Sequence, residues 1–164
     1  MKPNLLASIM GIKKVAVIGA GTMGAGIAQI CAQTGWETIL YDAFPEGLQR
    51  GMSNIDAFWE KGIARGKTST EQKLEWAANL SPVNDLAQAV KDCDLVIEAV
   101  PEIIELKQEI FREVELYCSD DTILATNTSS LSIRSIARVM KRPERLIGMH
   151  FFNPVPIMKL LELV

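Results

Sequence analysis

The sequence holds one histidine, His150, and three cysteines, Cys31, Cys93 and Cys118. A single histidine excludes an H-x-x-x-H zinc site, and the cysteine spacings form no C-x-x-C pair and suit no zinc ligand set. No metal is expected. An odd, scattered cysteine count reads as reduced thiol in a cytoplasmic protein, not as a disulfide framework. Excess charge is also scarce: 17 basic against 20 acidic residues leave a net charge of −3. That gives no reason to expect a nucleic-acid partner or an anionic membrane surface. Long hydrophobic runs are missing too. The run from Leu5 to Met10 is short, broken by Ser8 and weakly flanked, so it does not read as a signal peptide. No apolar stretch is long enough to span a bilayer.

What is present is an ordinary globular composition, 48% apolar and 23% charged over 164 residues, enough for one domain with its own core. Met10-Gly11-Ile12-Lys13-Lys14 reads as a natural start before the first strand, so residues 1–11 are expected to be an N-terminal extension and 12–164 the folded domain. Val15–Ile18 is a buried parallel strand, and Thr22–Thr34 is a helix with Met23, Ile27 and Ile30 on one face, stopped by Gly35. Thr38–Tyr41 is a second strand. Two helices, Pro45–Ala64 and Thr70–Asn79, follow without a strand between them. That stretch is too long for a simple crossover and reads as a helical arm projecting from the sheet. Ser81-Pro82-Val83 is a candidate short strand.

Alternation then resumes. Leu95–Val100, Thr122–Thr126 and Leu146–His150 read as strands. Glu102–Cys118 is a helix with Leu106, Ile110, Val114 and Tyr117 inward, and Ser132–Met140 one with Ile133, Ile136, Ala137 and Met140 inward. The predicted fold is therefore α/β: a Rossmann-type, doubly wound, mostly parallel sheet with the helical arm after the second strand. The last run, Lys159–Val164, follows the Pro154-Val155-Pro156 turn too closely for a parallel crossover, so it should return as an antiparallel edge strand. Because the chain stops inside this run without a polar tail, it is expected to be a fragment of something longer.

The first turn carries Gly19-Ala20-Gly21-Thr22-Met23-Gly24. Gly19 permits the tight turn, Gly21 lets backbone approach a pyrophosphate, and Gly24 lets the helix pack on the strand. The helix N-terminus would meet the phosphates. Asp42, at the end of the second strand, would accept from ribose hydroxyls and repel a 2′-phosphate. That favours NAD over NADP, with FAD the alternative use of the same fingerprint.

Ligands of open α/β sheets bind beyond the carboxyl ends of the strands. Three polar clusters fall there: Glu98–Glu102, Thr126–Ser130 and His150–Pro154. Only His150 titrates near neutral pH. Glu162 lies in the returning strand, where a hairpin could set its carboxylate against the imidazole, fixing its tautomer for proton abstraction from an alcohol as hydride leaves; a solvent-facing Glu162 is the competing reading. Ser129 and Asn127 could touch substrate or merely cap a turn. Lys107 reads as a solvated helix charge, and the cysteines as packing residues.

The motifs Val15–Ala28, Asp94-Leu-Val-Ile-Glu-Ala-Val-Pro-Glu102, Thr126-Asn-Thr-Ser-Ser-Leu131 and His150-Phe-Phe-Asn-Pro-Val-Pro156 with Leu161-Glu-Leu-Val164 together resemble the N-terminal NAD-binding domain of 3-hydroxyacyl-CoA dehydrogenases, especially the 3-hydroxybutyryl-CoA type. The resemblance implies reversible oxidation of (S)-3-hydroxyacyl-CoA by NAD. It implies His150 as base paired with Glu162, Ser129 on the reacting oxygen, and Glu102, Lys107 and Asn153 at the nicotinamide-ribose end. It also implies coenzyme A phosphates near Arg65 or Lys61 on the arm. The family's C-terminal helical domain, which closes the acyl-CoA cleft and makes a homodimer, has no counterpart in these residues. A nucleotide-binding module without turnover of its own, and a β-hydroxyacid dehydrogenase relative with a lysine base, are the competing readings.

Overall fold

The strand Lys14–Ile18 (β1) buries both of its faces, and its alternate residues divide the core in two. Val15 and Val17 join one apolar cluster, Ala16 and Ile18 the other. This period of two is why an unbroken apolar run is needed in a sheet covered on both sides. The computed structural model describes residues 11–158 and 160–164. Most of the expected N-terminal extension, and Lys159 in the final run, lie outside the described residues.

Helix Thr22–Thr34 (α1) ends at Gly35, whose positive φ of 94° permits the left-handed cap. Strand Glu37–Tyr41 (β2) leads into Pro45–Ala64 (α2) and Thr70–Ala78 (α3). Proline begins α2, where its missing N–H costs nothing. Ser69 and Gln72 close a capping box that begins α3. Strands Leu80–Val83 (β3), Leu95–Glu98 (β4), Ile123–Thr126 (β5), Leu146–Phe151 (β6) and Leu161–Leu163 (β7) complete one sheet in the order β3-β2-β1-β4-β5-β6-β7. All neighbours are parallel except β6 and β7. This is the doubly wound sheet with an antiparallel edge that the alternation implied.

The two-helix stretch falls at the expected residues, and despite its length it is also the crossover between two strands. β2 and β3 are parallel neighbours, so α2 and α3 together connect them. Leu48, Gly51, Ile55 and Trp59 of α2 are buried, and Trp59 packs on Trp76 of α3 with ring centroids 5.9 Å apart. The arm is thus rooted in the core along one face.

Two helices differ from expectation. In Ile104–Tyr117 (α5) the buried residues are Lys107, Phe111 and Val114, while Tyr117 is exposed. The inward face is rotated by about one position, because a buried carboxylate awaits Lys107 and because Leu106 and Ile110 border a groove. The expected helix Ser132–Met140 is only Ile133–Ala137 (α6), with Ser132 as its cap. A short helix, Leu86–Val90 (α4), capped by Asp85, was not anticipated, since five residues show too little periodicity to read.

Candidate functional site

The glycine turn joins β1 to α1 at the carboxyl end of the sheet. Gly19 has φ +101°, and a Cβ there would meet Ala99 O at 2.8 Å. Its N–H donates to Tyr41 O at 2.8 Å, tying the turn to β2. A Cβ on Gly24 would fall 1.7 Å from Gly19 O, so only glycine lets α1 sit this close to the strand. Gly21 differs: a Cβ there would meet no protein atom within 4 Å and would project into open space above the turn. That is the cradle expected where a phosphate group approaches backbone. No side chain caps the N-terminus of α1, which leaves its first N–H groups free for an anion.

Asp42 carries two tasks. Its Oδ2 accepts from Ala20 N at 2.8 Å and its Oδ1 from Phe44 N at 2.9 Å. The carboxylate therefore fixes the glycine turn as well as facing the groove. That groove is bordered by Gly21, Met23, Asp42, Val100 and Leu106. A second groove is bordered by Met23, Glu102, Ser129, His150 and Asn153. Met23 and Val100 border both, so the two form one path running from Asp42 to His150.

At the far end, β6 and β7 pair His150 directly with Glu162. The imidazole Nδ1 lies 3.1 Å from Glu162 Oε2, and the Phe152 ring leans over the imidazole with centroids 4.5 Å apart. The structure thus brings these two residues together, and Glu162 at the same time keeps a solvent-facing side, its side chain being 60% exposed. Asn127 ties β5 to this strand end, its Oδ1 accepting from Phe151 N at 3.0 Å.

Between the two ends lies a chain of charges. Lys107, read from sequence as a solvated charge, is fully buried, so none of its own atoms is exposed to a ligand. Its Nζ donates to Glu98 Oε1 at 2.7 Å and Val100 O at 3.4 Å and lies 3.3 Å from Glu102 Oε2. Glu102 borders the groove, its Oε1 accepting from Thr128 Oγ1 and, at 3.2 Å, from Ser129 N. Partial burial pushes the Glu102 carboxyl up, but the Thr128 hydroxyl and the Lys107 ammonium outweigh it and hold the group below the usual carboxylate range. Burial pushes the Glu98 carboxyl up, against the opposing pull of Lys107, Thr126 and Val100 N–H.

Gly19, Ala20, Gly21, Thr22, Met23, Gly24 and Asp42 gather at one end of the path; Ser129, Glu102, His150 and Asn153 gather at the other. Lys61 and Arg65 do not join them. They are exposed at the last turn of α2 and border neither groove. Sequence reasoning placed Glu98 and Thr128 within the polar clusters at the strand ends but gave neither a role of its own; the available signal was a glutamate closing the apolar strand Leu95-Val-Ile-Glu98. Among the described residues no cluster could hold a metal, and no helix is long and apolar enough to cross a membrane.

Comparison with known proteins agrees with this geometry. Residues 14–164 match the family model for the 3-hydroxyacyl-CoA dehydrogenase NAD-binding domain. The chain is 45% identical over 156 residues to 3-hydroxyadipyl-CoA dehydrogenase of Escherichia coli, covering 95% of this chain and 33% of that protein. It is 43% identical over 151 residues to 3-hydroxybutyryl-CoA dehydrogenase of Clostridioides difficile, covering 92% and 53%. The crystal structure of (S)-3-hydroxybutyryl-CoA dehydrogenase from Ralstonia eutropha superposes with a TM-score of 0.89 at 38% identity, covering 93% of this chain and 53% of that one. The chain thus spans one third to about one half of these relatives.

Proposed function

The chain belongs to the 3-hydroxyacyl-CoA dehydrogenase family as its NAD-binding domain, and from that premise we propose that it serves the interconversion of (S)-3-hydroxyacyl-CoA and 3-ketoacyl-CoA. The observation that carries this reading is the His150–Glu162 pair, 3.1 Å apart at the end of a path that starts at the glycine turn. NAD, when bound, supplies the hydride acceptor.

Every other task falls to the chain's own groups, backbone and side chain. The backbone around Gly21 and the start of α1 holds the pyrophosphate, and Asp42 accepts from the adenosine ribose. Glu102 and Asn153 stand at the nicotinamide-ribose end, with Lys107 acting through Glu102. His150 Nε2 removes the substrate hydroxyl proton, while Glu162 at Nδ1 selects the tautomer and stabilises the imidazolium that results. Ser129 donates to the reacting oxygen. In the reverse direction the imidazolium returns its proton. The buried, fully paired state of Lys107 disfavours the alternative of a lysine base. Lys61 and Arg65 are assigned to the coenzyme A phosphates, the homodimer to sequence outside these residues, and the site of action to the cytoplasm.

The test is NADH oxidation with acetoacetyl-CoA by the protein that carries this domain. Consumption of NADH that His150→Gln abolishes supports the reading; full activity in that variant rejects the base. A second reading is favoured by the share of the relatives that the chain spans: these 164 residues alone bind NAD without turnover. Calorimetry with NAD followed by the same assay on the 164-residue chain separates the two, since appreciable turnover rejects the module.

A further inference from the structure

Glu98 ends the central strand of the sheet and is wholly buried, as is Lys107. A buried carboxylate is costly unless its oxygens are filled. Here Oε1 accepts from Lys107 Nζ at 2.7 Å and Val100 N at 2.7 Å, and Oε2 accepts from Thr126 Oγ1 at 2.6 Å. The ammonium has three donors and three partners: Glu98 Oε1, Glu102 Oε2 and Val100 O. Glu98 is therefore aimed at Lys107, and Lys107 at Glu102. Of the three, only Glu102 reaches the groove that holds His150.

We infer that Glu98 is a positioning residue for the nicotinamide half of the cofactor site: it holds the Lys107 ammonium, through which the Glu102 carboxylate is set. Three features support this over simple packing. The relay is linear, with one member at the groove. Glu102 Oε1 is fixed independently by Thr128 and Ser129, so Lys107 sets the second oxygen and hence the plane of the carboxylate. The backbone of Glu98 also acts there, its carbonyl accepting from Asn127 N at 2.8 Å. Strand β4 thereby organises the turn that presents Ser129. A methionine and leucine pair would fill the same space without a desolvation cost, so an ion pair here needs a reason beyond stability.

The inference rests on the reading of Glu102 as a cofactor contact, and the experiment separates the two. Kd for NAD and for ADP is measured by calorimetry on the chain; ADP engages only the Gly21 and Asp42 end. In Glu98→Gln the NAD Kd is expected to rise about tenfold, as loss of a charge-assisted hydrogen bond implies, with ADP unchanged. Thr126→Val, which removes one of the donors that fix Glu98, should shift the same ratio by a smaller factor. Because Glu98→Gln leaves the buried Lys107 ammonium facing an amide, which threatens folding, Glu98→Gln with Lys107→Met provides a neutral pair that should fold yet keep the raised NAD Kd. Thermal melts establish folding in each case. Folded variants with an unchanged NAD-to-ADP ratio overturn the inference if Glu102→Gln shifts that ratio. If Glu102→Gln leaves the ratio unmoved, the cofactor reading of Glu102 fails and the inference falls with it.

Discussion

His150 and Glu162 sit directly opposite each other on antiparallel strands, their side chains 3.1 Å apart and on the same face of the sheet edge. The imidazole is about a fifth exposed and the carboxylate more than half. One partner is sheltered within the groove while the other stays at its rim. That arrangement suits a proton acceptor held in one tautomer by a hydrated carboxylate.

His150→Gln should therefore lower kcat by about 10²- to 10⁴-fold, the usual worth of a positioned general base, while the NAD Kd stays within a factor of two to three. Glu162→Gln should lower kcat less, because the amide oxygen can still accept from Nδ1–H. Steady-state kinetics with NADH and acetoacetyl-CoA, together with calorimetry, check both. A larger effect at Glu162 than at His150 would contradict the assigned roles.

Gly24 and Gly21 belong to one motif but predict opposite failures. In Gly24→Ala the new methyl would lie 1.7 Å from Gly19 O, a backbone atom that cannot rotate away. Destabilisation of at least about 1–3 kcal/mol is expected, read as a lower thermal midpoint. Gly21→Ala meets nothing within 4 Å and has an ordinary φ of −67°, so it should melt normally yet bind NAD more weakly. Equal melting of the two variants would contradict the packing account.

Asp42→Asn tests the carboxylate at the second strand end. It keeps an oxygen for one of the two N–H donors, Ala20 and Phe44. The NAD Kd should rise about tenfold, and the preference over NADP should narrow as the negative charge is removed. Calorimetry with both nucleotides reads the ratio; an undiminished preference would mean that Asp42 only fixes the turn.

The acid limb of stability should report Glu102. Its carboxyl is held below the usual range, so its stabilising effect is present above the unfolded value and is lost as pH falls through the folded one. Glu98 is raised and carries the opposite sign, its contribution fading as pH rises through its folded value. In thermal melts across the acid range, Glu102→Gln should flatten the loss below the usual carboxylate pKa. An unchanged acid limb in that variant would place the titration elsewhere.

Much of the fold was legible because it is written in local pattern. The apolar runs at Val15–Ile18 and Leu95–Ile97, the glycine turn and the cap at Gly35 each declare themselves within a few residues. Charged residues were read less well. Lys107 looks like any helix lysine, because nothing near it in sequence says that a buried glutamate nine positions earlier will meet it. The faces of α5 were misjudged for the same reason.

The sequence by itself determined the order of strands and helices, the nucleotide turn and the acid that follows it, since periodicity and glycine sterics act over neighbouring residues. Only the tertiary structure decided the register that sets His150 against Glu162, where a slip of one residue would turn the two side chains to opposite faces. It also decided the burial of Lys107 between Glu98 and Glu102. Both depend on how separate elements meet, and a charge is buried only where another element supplies its partner.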